Sequence, residues 1–273
     1  MLTEKVSVFK RGHLALRTKV FLQPLYVLNS KTMIRYDQYR IFGQMVTRHS
    51  IEPQDRETRI LDAAAALVLH YGLDKTTVDD IAREAGVSKG AVYLHFKSKD
   101  DLMEALILRE TWAYIDEMVA EVNADSMGGT LVNMLKHALT SLAKRPLMRA
   151  LYNRDMRVLG DYIRRRAPDF QAQRFLINKD FTAAMQKAGL VRADVDAKQI
   201  SYLFSVVGQG YLTMTPDILG APLEPFDESL ALMVDMLSLY LTPPNLADSD
   251  AGKHLLNTAI EQVRAMASRP KKE

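Results

Sequence analysis

Between Thr76 and Lys99 the chain reads TTVDDIAREAGVSKGAVYLHFKSK, and its apolar positions organise everything around them. Val78, Ile81, Ala82 and Ala85 recur at i, i+3, i+4 and i+7, the stripe of an amphipathic helix that starts at Thr77. Thr77 is a good N-cap, Asp80 can complete a capping box, and Asp79 and Asp80 suit the positive end of the helix dipole. Gly86 should end this helix in the left-handed conformation. Val87 then turns into a small core, and Ser88 caps a second helix running to about His95. At 100° per residue, Lys89, Gly90, Tyr93 and Leu94 fall on one side of it and Ala91, Val92 and Phe96 on the other. Two short helices joined by a tight turn make a helix-turn-helix.

The first set faces outward. A helix that opens with Lys and Gly and continues with Tyr suits a DNA major groove, because the missing side chain lets backbone approach backbone. From Gly86 to Lys99 the basic residues are Lys89, Lys97 and Lys99, with no Asp or Glu among them. The acids stand one helix earlier, so charge separates by face, as phosphate contact requires.

These residues resemble the TetR family of one-component transcriptional regulators. The resemblance covers RILDAAAALVLHYGLDKTTVDDIAREAGVSKGAVYLHFKSKDDLMEAL, Arg59 to Leu106, about a sixth of the chain. It includes the helix before the motif, the AREAGVSKG turn, the YxHF end and the KSKDDL start of the next helix. It implies an all-α fold, with an N-terminal three-helix DNA-binding domain and a C-terminal helical domain for ligand binding and dimerisation. The DNA-binding residues it implies are Thr76, Thr77, Ser88, Lys89, Gly90, Ala91, Tyr93, Leu94, His95, Lys97 and Lys99. Leu94 departs from the family, which often has a second aromatic there; Leu can touch a thymine methyl but cannot hydrogen-bond a phosphate. His95 stands between a phosphate contact and a structural hydrogen bond at a helix end.

Helical spacing continues on both sides of the motif. Glu57 to Tyr71 places Ile60, Ala64, Leu67, Val68 and Tyr71 on one face before Gly72. Ser98, with Asp101 as a second capping-box partner, opens a helix free of Gly and Pro to about Asn123, too long for the DNA-binding domain alone. Beyond Thr130, Gly and Pro at Pro146, Pro168, Gly189, Pro216, Pro222, Pro225, Pro243 and Pro244 punctuate five or so further helices. Gly189 ends one of these, and Asp196 with Gln199 starts the next. Residues 249 to 267 form an amphipathic helix through Leu255, Leu256, Ala259, Ile260 and Val263. The expected organisation is a basic N-terminal extension at 1–52, a helix-turn-helix domain at 53–100, an effector-binding and dimerisation domain at 101–244, and a C-terminal helix with a basic tail at 245–273.

Composition adds limits. With 273 residues, 48% hydrophobic and 25% charged, the chain can bury a real core. No cysteine is present, which excludes disulfides and thiolate metal sites and suits a reducing cytoplasm. The formal charge of +3 is concentrated in residues 1–52, where nine basic residues face three acids. That extension is either a basic arm on DNA or dispensable, and a chain starting at Met45 is expected to fold and bind its operator. Val20 to Leu28 is too short for a membrane span. Histidines at 13, 49, 70, 95, 137 and 254 form no ligand-like spacing, and no phosphate loop or nucleophile elbow occurs. Neither a cofactor nor an enzyme activity is therefore expected; the competing reading is a helical interaction or small-molecule-binding protein.

One recognition helix reads only a few base pairs, so a homodimer on two half-sites is expected. The resemblance implies that Ala197 to Met214 and Asp227 to Leu241 pair in it, through Leu203, Val207, Tyr211, Leu230, Val234 and Leu237, unless that stripe packs inside one subunit. Trp112, Met118, Met148, Tyr152, Met156, Phe175 and Phe204 are either an adaptable pocket for an unknown apolar effector or plain core. A ligand pushing on Trp112 or Met118 would swing the DNA-binding domain through the long helix, and glycines at Glu110 and Glu117 are expected to loosen that coupling.

Overall fold

A computed structural model describes residues 56–171, 179–213, 226–246 and 248–267. The extension at 1–52, Met45, Phe175 and the tail from residue 268 lie outside the described residues. Among those described, eleven α-helices and no strands are found, in agreement with the all-α expectation. They are α1 Arg56–Tyr71, α2 Val78–Glu84, α3 Lys89–His95, α4 Lys99–Ala124, α5 Leu131–Ala143, α6 Pro146–Asn153, α7 Met156–Gln171, α8 Lys179–Lys187, α9 Ala197–Thr213, α10 Phe226–Leu241 and α11 Ser249–Ala267. No helix among the described residues is long and apolar enough to cross a membrane.

The helices start where the polar caps predict. Thr77, Ser88, Ser98 and Thr130 each accept the backbone N–H three residues on, and Pro146 stands in the first turn of α6, where its missing N–H costs nothing. Only at Thr77 is the reciprocal capping box with Asp80 complete. Asp196 starts α9 by accepting the N–H of Lys198. Among the described residues, six helices lie between Thr130 and Leu241, against the five or so expected. α7 continues through Pro168, and its break falls earlier, at Gly160, whose φ is +52°.

α1, α2 and α3 enclose Ile60, Ala64, Val68, Ile81, Val92 and Phe96, and α4 closes this core with Leu102 and Leu106. Tyr71, expected on the inner face of α1, is exposed, because α1 ends there and Gly72 turns the chain away; its ring meets His70 edge-on. α4 is 26 residues long, about 39 Å at 1.5 Å per residue. It leaves the first core and packs against α5, α6 and α11, which makes it common to both halves. In the second half α9 lies on α5, α6 and α8, and α10 lies on α5.

α11 docks where two glycines meet. A Cβ on Gly129 would stand 1.7 Å from the Ser249 carbonyl, and one on Gly252 would stand 1.8 Å from the Gly129 carbonyl. Any side chain at either position would separate the C-terminal helix from the α4–α5 turn. Further along, the Arg264 guanidinium lies 4.8 Å from the centre of the Trp112 ring.

One edge of α4 carries a ladder of ion pairs. Asp62 of α1 meets Arg109 at 2.7 Å, Arg109 meets Glu110 at 3.0 Å, and Arg145 bridges Glu110 at 3.4 Å and Glu117 at 2.8 Å. Lys144 then holds Glu121 at 2.7 Å, and His137 stands between Glu121 at 3.5 Å and Asp125 at 2.9 Å. Burial opposes ionisation of Glu121, but Lys144, the Ser141 hydroxyl and His137 outweigh it and hold the carboxyl below the usual glutamate range. Asp125 is likewise held low against burial, by hydrogen bonds from His137 and the Met127 N–H. Glu110 and Glu117 are therefore not exposed positions suited to a helix-softening glycine, because both are engaged by Arg145.

Candidate nucleic-acid interface

α2 and α3 meet at Gly86, which has φ +65° and open space where a Cβ would be, so its glycine answers to backbone conformation rather than crowding. The Val87 N–H donates to the Ala82 carbonyl and closes the turn. Val92 and Phe96 anchor α3 inward, which turns the opposite side to solvent. Ser88, Lys89, Gly90, Tyr93, Leu94 and Lys97 are exposed there, with Leu94 at 84% and Tyr93 at 46%. A Cβ on Gly90 would meet only the Ser88 hydroxyl at 3.9 Å. No described residue requires a glycine at that position, which fits a surface where another molecule's backbone comes close.

Other residues expected on this face are turned elsewhere. Thr76 is 2% exposed, and its hydroxyl donates to the Gly72 carbonyl at 2.9 Å, so it braces the loop before α2. Lys99 bends inward to donate to the Leu73 carbonyl at 2.5 Å, and burial holds its ammonium below the usual lysine range. Thr77 is exposed, but its hydroxyl is committed to the capping box. Ala91 and His95 are half-buried, and the His95 Nδ1 lies 3.9 Å from Glu57 on α1. The helical wheel sorted α3 well but gave no account of the loop residues flanking it.

The unit is fastened to the second half through the chain between α1 and α2. The Leu73 N–H donates to the Val158 carbonyl at 2.8 Å, and Arg165 of α7 reaches Asp100 at 3.2 Å. Gly72, at φ +83°, lies so close to α7 that a Cβ would stand 2.5 Å from the Arg157 carbonyl. A Cβ on Gly160 would stand 2.1 Å from the Asp74 carboxylate. Sequence periodicity missed this seam; its only signal was two glycines outside any regular stripe.

Of the expected pocket residues that are described, Met118, Met148 and Phe204 share one core, Trp112 and Tyr152 pack against it, and Met156 stands outside it. Met118, Met148 and Phe204 are buried, and Met148 Sδ lies 3.8 Å from the Thr111 hydroxyl. Tyr152 reaches across to α9, where a Cβ on Gly208 would stand 3.1 Å from its hydroxyl. Trp112 lies under Arg264 of α11, and Met156 is 44% exposed at the start of α7 because the chain turns there through the left-handed Arg154. Of the residues expected to pair subunits, Leu230 and Val234 are buried in their own subunit, Val207, Tyr211 and Leu237 are half-buried, and Leu203 is exposed. The exposed apolar residues lie one step around each helix: Tyr202 and Val206 beside Leu203 on α9, and Leu232, Met236, Leu239 and Tyr240 on α10. Their opposite faces are held by α5 and α8, which periodicity alone cannot assign.

A three-helix unit that presents a short, lysine-headed helix free of acids, carried on a larger helical body, defines a DNA-binding transcriptional regulator of the helix-turn-helix class. Residues 60–106 match the family model described as bacterial regulatory proteins, tetR family. The chain is 27% identical to the HTH-type transcriptional regulator AcrR of Shigella flexneri over 223 residues, 74% of this chain and 97% of AcrR. It is 42% identical to the HTH-type transcriptional regulator TtgR of Pseudomonas putida over 69 residues, 24% of this chain and 33% of TtgR. The fold resembles that of SmeT in its complex with triclosan, with a TM-score of 0.54, 21% identity, and 70% of this chain and 94% of SmeT covered. Residues 60–106 are thus a DNA-binding domain of the TetR type, and the chain resembles TetR-family regulators along most of its length.

Proposed function

We propose that this regulator is a homodimeric repressor that leaves its operator when an apolar small molecule binds its second half. The observation that carries the reading is the exposed side of α3, where Ser88, Lys89, Gly90, Tyr93, Leu94 and Lys97 stand together while Val92 and Phe96 anchor the helix. Tyr93 and Leu94 supply aromatic and apolar contact in the groove, Lys89 and Lys97 supply charge, and Gly90 supplies clearance.

Pairing of two subunits is supported by the distribution of exposed apolar residues. Seven of the twelve large exposed hydrophobic residues among those described lie on α9 and α10. A second copy suits them, because a two-fold dimer meets itself with the same patch and presents two α3 helices to two half-sites. The effector reading rests on Met118, Met148, Tyr152 and Phe204 in the core beside α4, and on the named relative SmeT, which is seen with triclosan. Coupling runs by two routes: along α4, and through the seam of Gly72, Asp74 and Gly160 against α7.

The test is binding-site selection from random DNA, followed by fluorescence anisotropy on the recovered duplex at several salt concentrations. A two-fold symmetric site, a negative slope of log affinity against log salt, and weakening by apolar compounds are expected. The paired variant Leu232→Glu, Met236→Glu should be monomeric by light scattering and should lose most operator affinity. Recovery of no symmetric site, or a monomeric variant that binds as tightly as the parent, would overturn the reading.

A further inference from the structure

The two acidic side chains in the first turn of α2 differ in what they engage. Asp80 is engaged within its own helix, by the Thr77 N–H, the Thr77 hydroxyl and Arg83. Asp79 instead reaches across the turn, where its Oδ2 accepts from Lys89 Nζ at 2.8 Å. Both side chains are more than half exposed, at 61% and 52%, and an exposed pair of this kind adds little to stability. Its effect is on where Lys89 points.

Lysine carries its charge at the end of a flexible stem, so a free lysine finds any phosphate in reach. Held by Asp79, Lys89 opens the recognition helix, next in the chain to Gly90. An ammonium has three donors. Asp79 takes one, and two remain, the number that guanine O6 and N7 accept in the major groove. The carboxylate has a second consequence, since it stands beside the contact lysine and repels the phosphates on which sequence-independent binding depends.

Resting on the DNA-binding reading above, we propose that Asp79 is a positioning residue for sequence discrimination: through Lys89 it favours a guanine edge and opposes binding by phosphate contact alone. The hydrogen bond from Lys89 to Asp79 also raises the lysine pKa, in keeping with a charged ammonium at the head of the helix.

The test uses the full chain, a duplex recovered by selection and a shuffled duplex of equal length and composition. Asp79→Asn keeps the size of the side chain and removes its charge. It is expected to bind the shuffled duplex about tenfold more tightly and the selected duplex no more tightly. The salt slope on the shuffled duplex should steepen by about 0.9 as one more phosphate is contacted. With each guanine replaced in turn by 7-deazaguanine, which lacks the N7 acceptor, the parent should lose several-fold affinity at one guanine per half-site. Asp79→Asn should be insensitive there, and Asp79→Glu should restore the sensitivity. Equal tightening on both duplexes, or an unchanged 7-deazaguanine profile, would overturn the proposal. Lys89→Ala separates the two readings. If it spares operator binding, the place of Lys89 in the interface fails; if it abolishes binding while Asp79→Asn leaves discrimination intact, only the role of Asp79 fails.

Discussion

Replacing Gly160 by Ala should unseat the helix-turn-helix from the rest of the chain without touching either core. Gly160 has φ +52° and ψ −143°, a region that residues with a side chain scarcely enter, at a cost of about 1–3 kcal/mol. Its new Cβ would also stand 2.1 Å from Asp74 Oδ2 and 2.3 Å from Asp74 Cγ, an overlap that must push the carboxylate and its loop aside for about 1–3 kcal/mol more. The sum is about 2–6 kcal/mol, and at about 2–4 °C per kcal/mol for a chain of this size the melting temperature should fall by at least about 4 °C. Asp74→Ala removes the three atoms nearest that Cβ and leaves the backbone requirement intact. By itself it should change stability by less than about 0.5 kcal/mol, since Asp74 is exposed. Combined with Gly160→Ala it should return the overlap part, a coupling of about 1–3 kcal/mol in a double-mutant cycle read by urea denaturation. If the two changes add to within about 0.5 kcal/mol, the close approach of loop and α7 does not exist and the second coupling route is lost with it.

Acid should weaken the ladder on α4. The carboxyls of Glu121 and Asp125 are held below their usual range in the folded protein, so the stability they contribute is present above the unfolded value of about 4 and is lost as pH falls through the lower folded value. Glu121→Gln should cost about 1–2 kcal/mol at pH 7 and progressively less as the pH falls below the unfolded value, as checked by melts across that range; an equal cost throughout would refute the charge argument. For the α4 lever, Ala113→Gly and Ala120→Gly lie outside the ion pairs and should cost about 1 kcal/mol each. Effector-driven release should become less complete in this double variant while ligand-free DNA affinity holds, and full release would assign the signal to the seam at Gly160 instead.

What could be read from the sequence was whatever depends on residues a few positions apart. Thr77 with Asp80, Gly86 and the inward pair Val92 and Phe96 are local facts, because a cap, a left-handed turn and a helical face are each fixed within one or two turns of chain. The limits of α11 at Ser249 and Ala267 were legible for the same reason. What failed depended on partners far along the chain. Lys99 looks like one more cation beside Lys97, and only the Leu73 carbonyl, 26 residues earlier, turns it inward. α9 and α10 each carry apolar residues on more than one face, and which face stays open is decided by α5, α6 and α8 rather than by either helix. His137 seemed solitary because its carboxylates stand 16 and 12 residues away, across a helix turn that spacing rules for ligands do not search. The contacts that join the two halves are equally distant in sequence, Leu73 with Val158 and Asp100 with Arg165 among them. A sequence can therefore specify a recognition helix almost completely while leaving unstated how that helix is held, and here the holding falls to Asp62 with Arg109, Leu73 with Lys99, and Asp74 against Gly160.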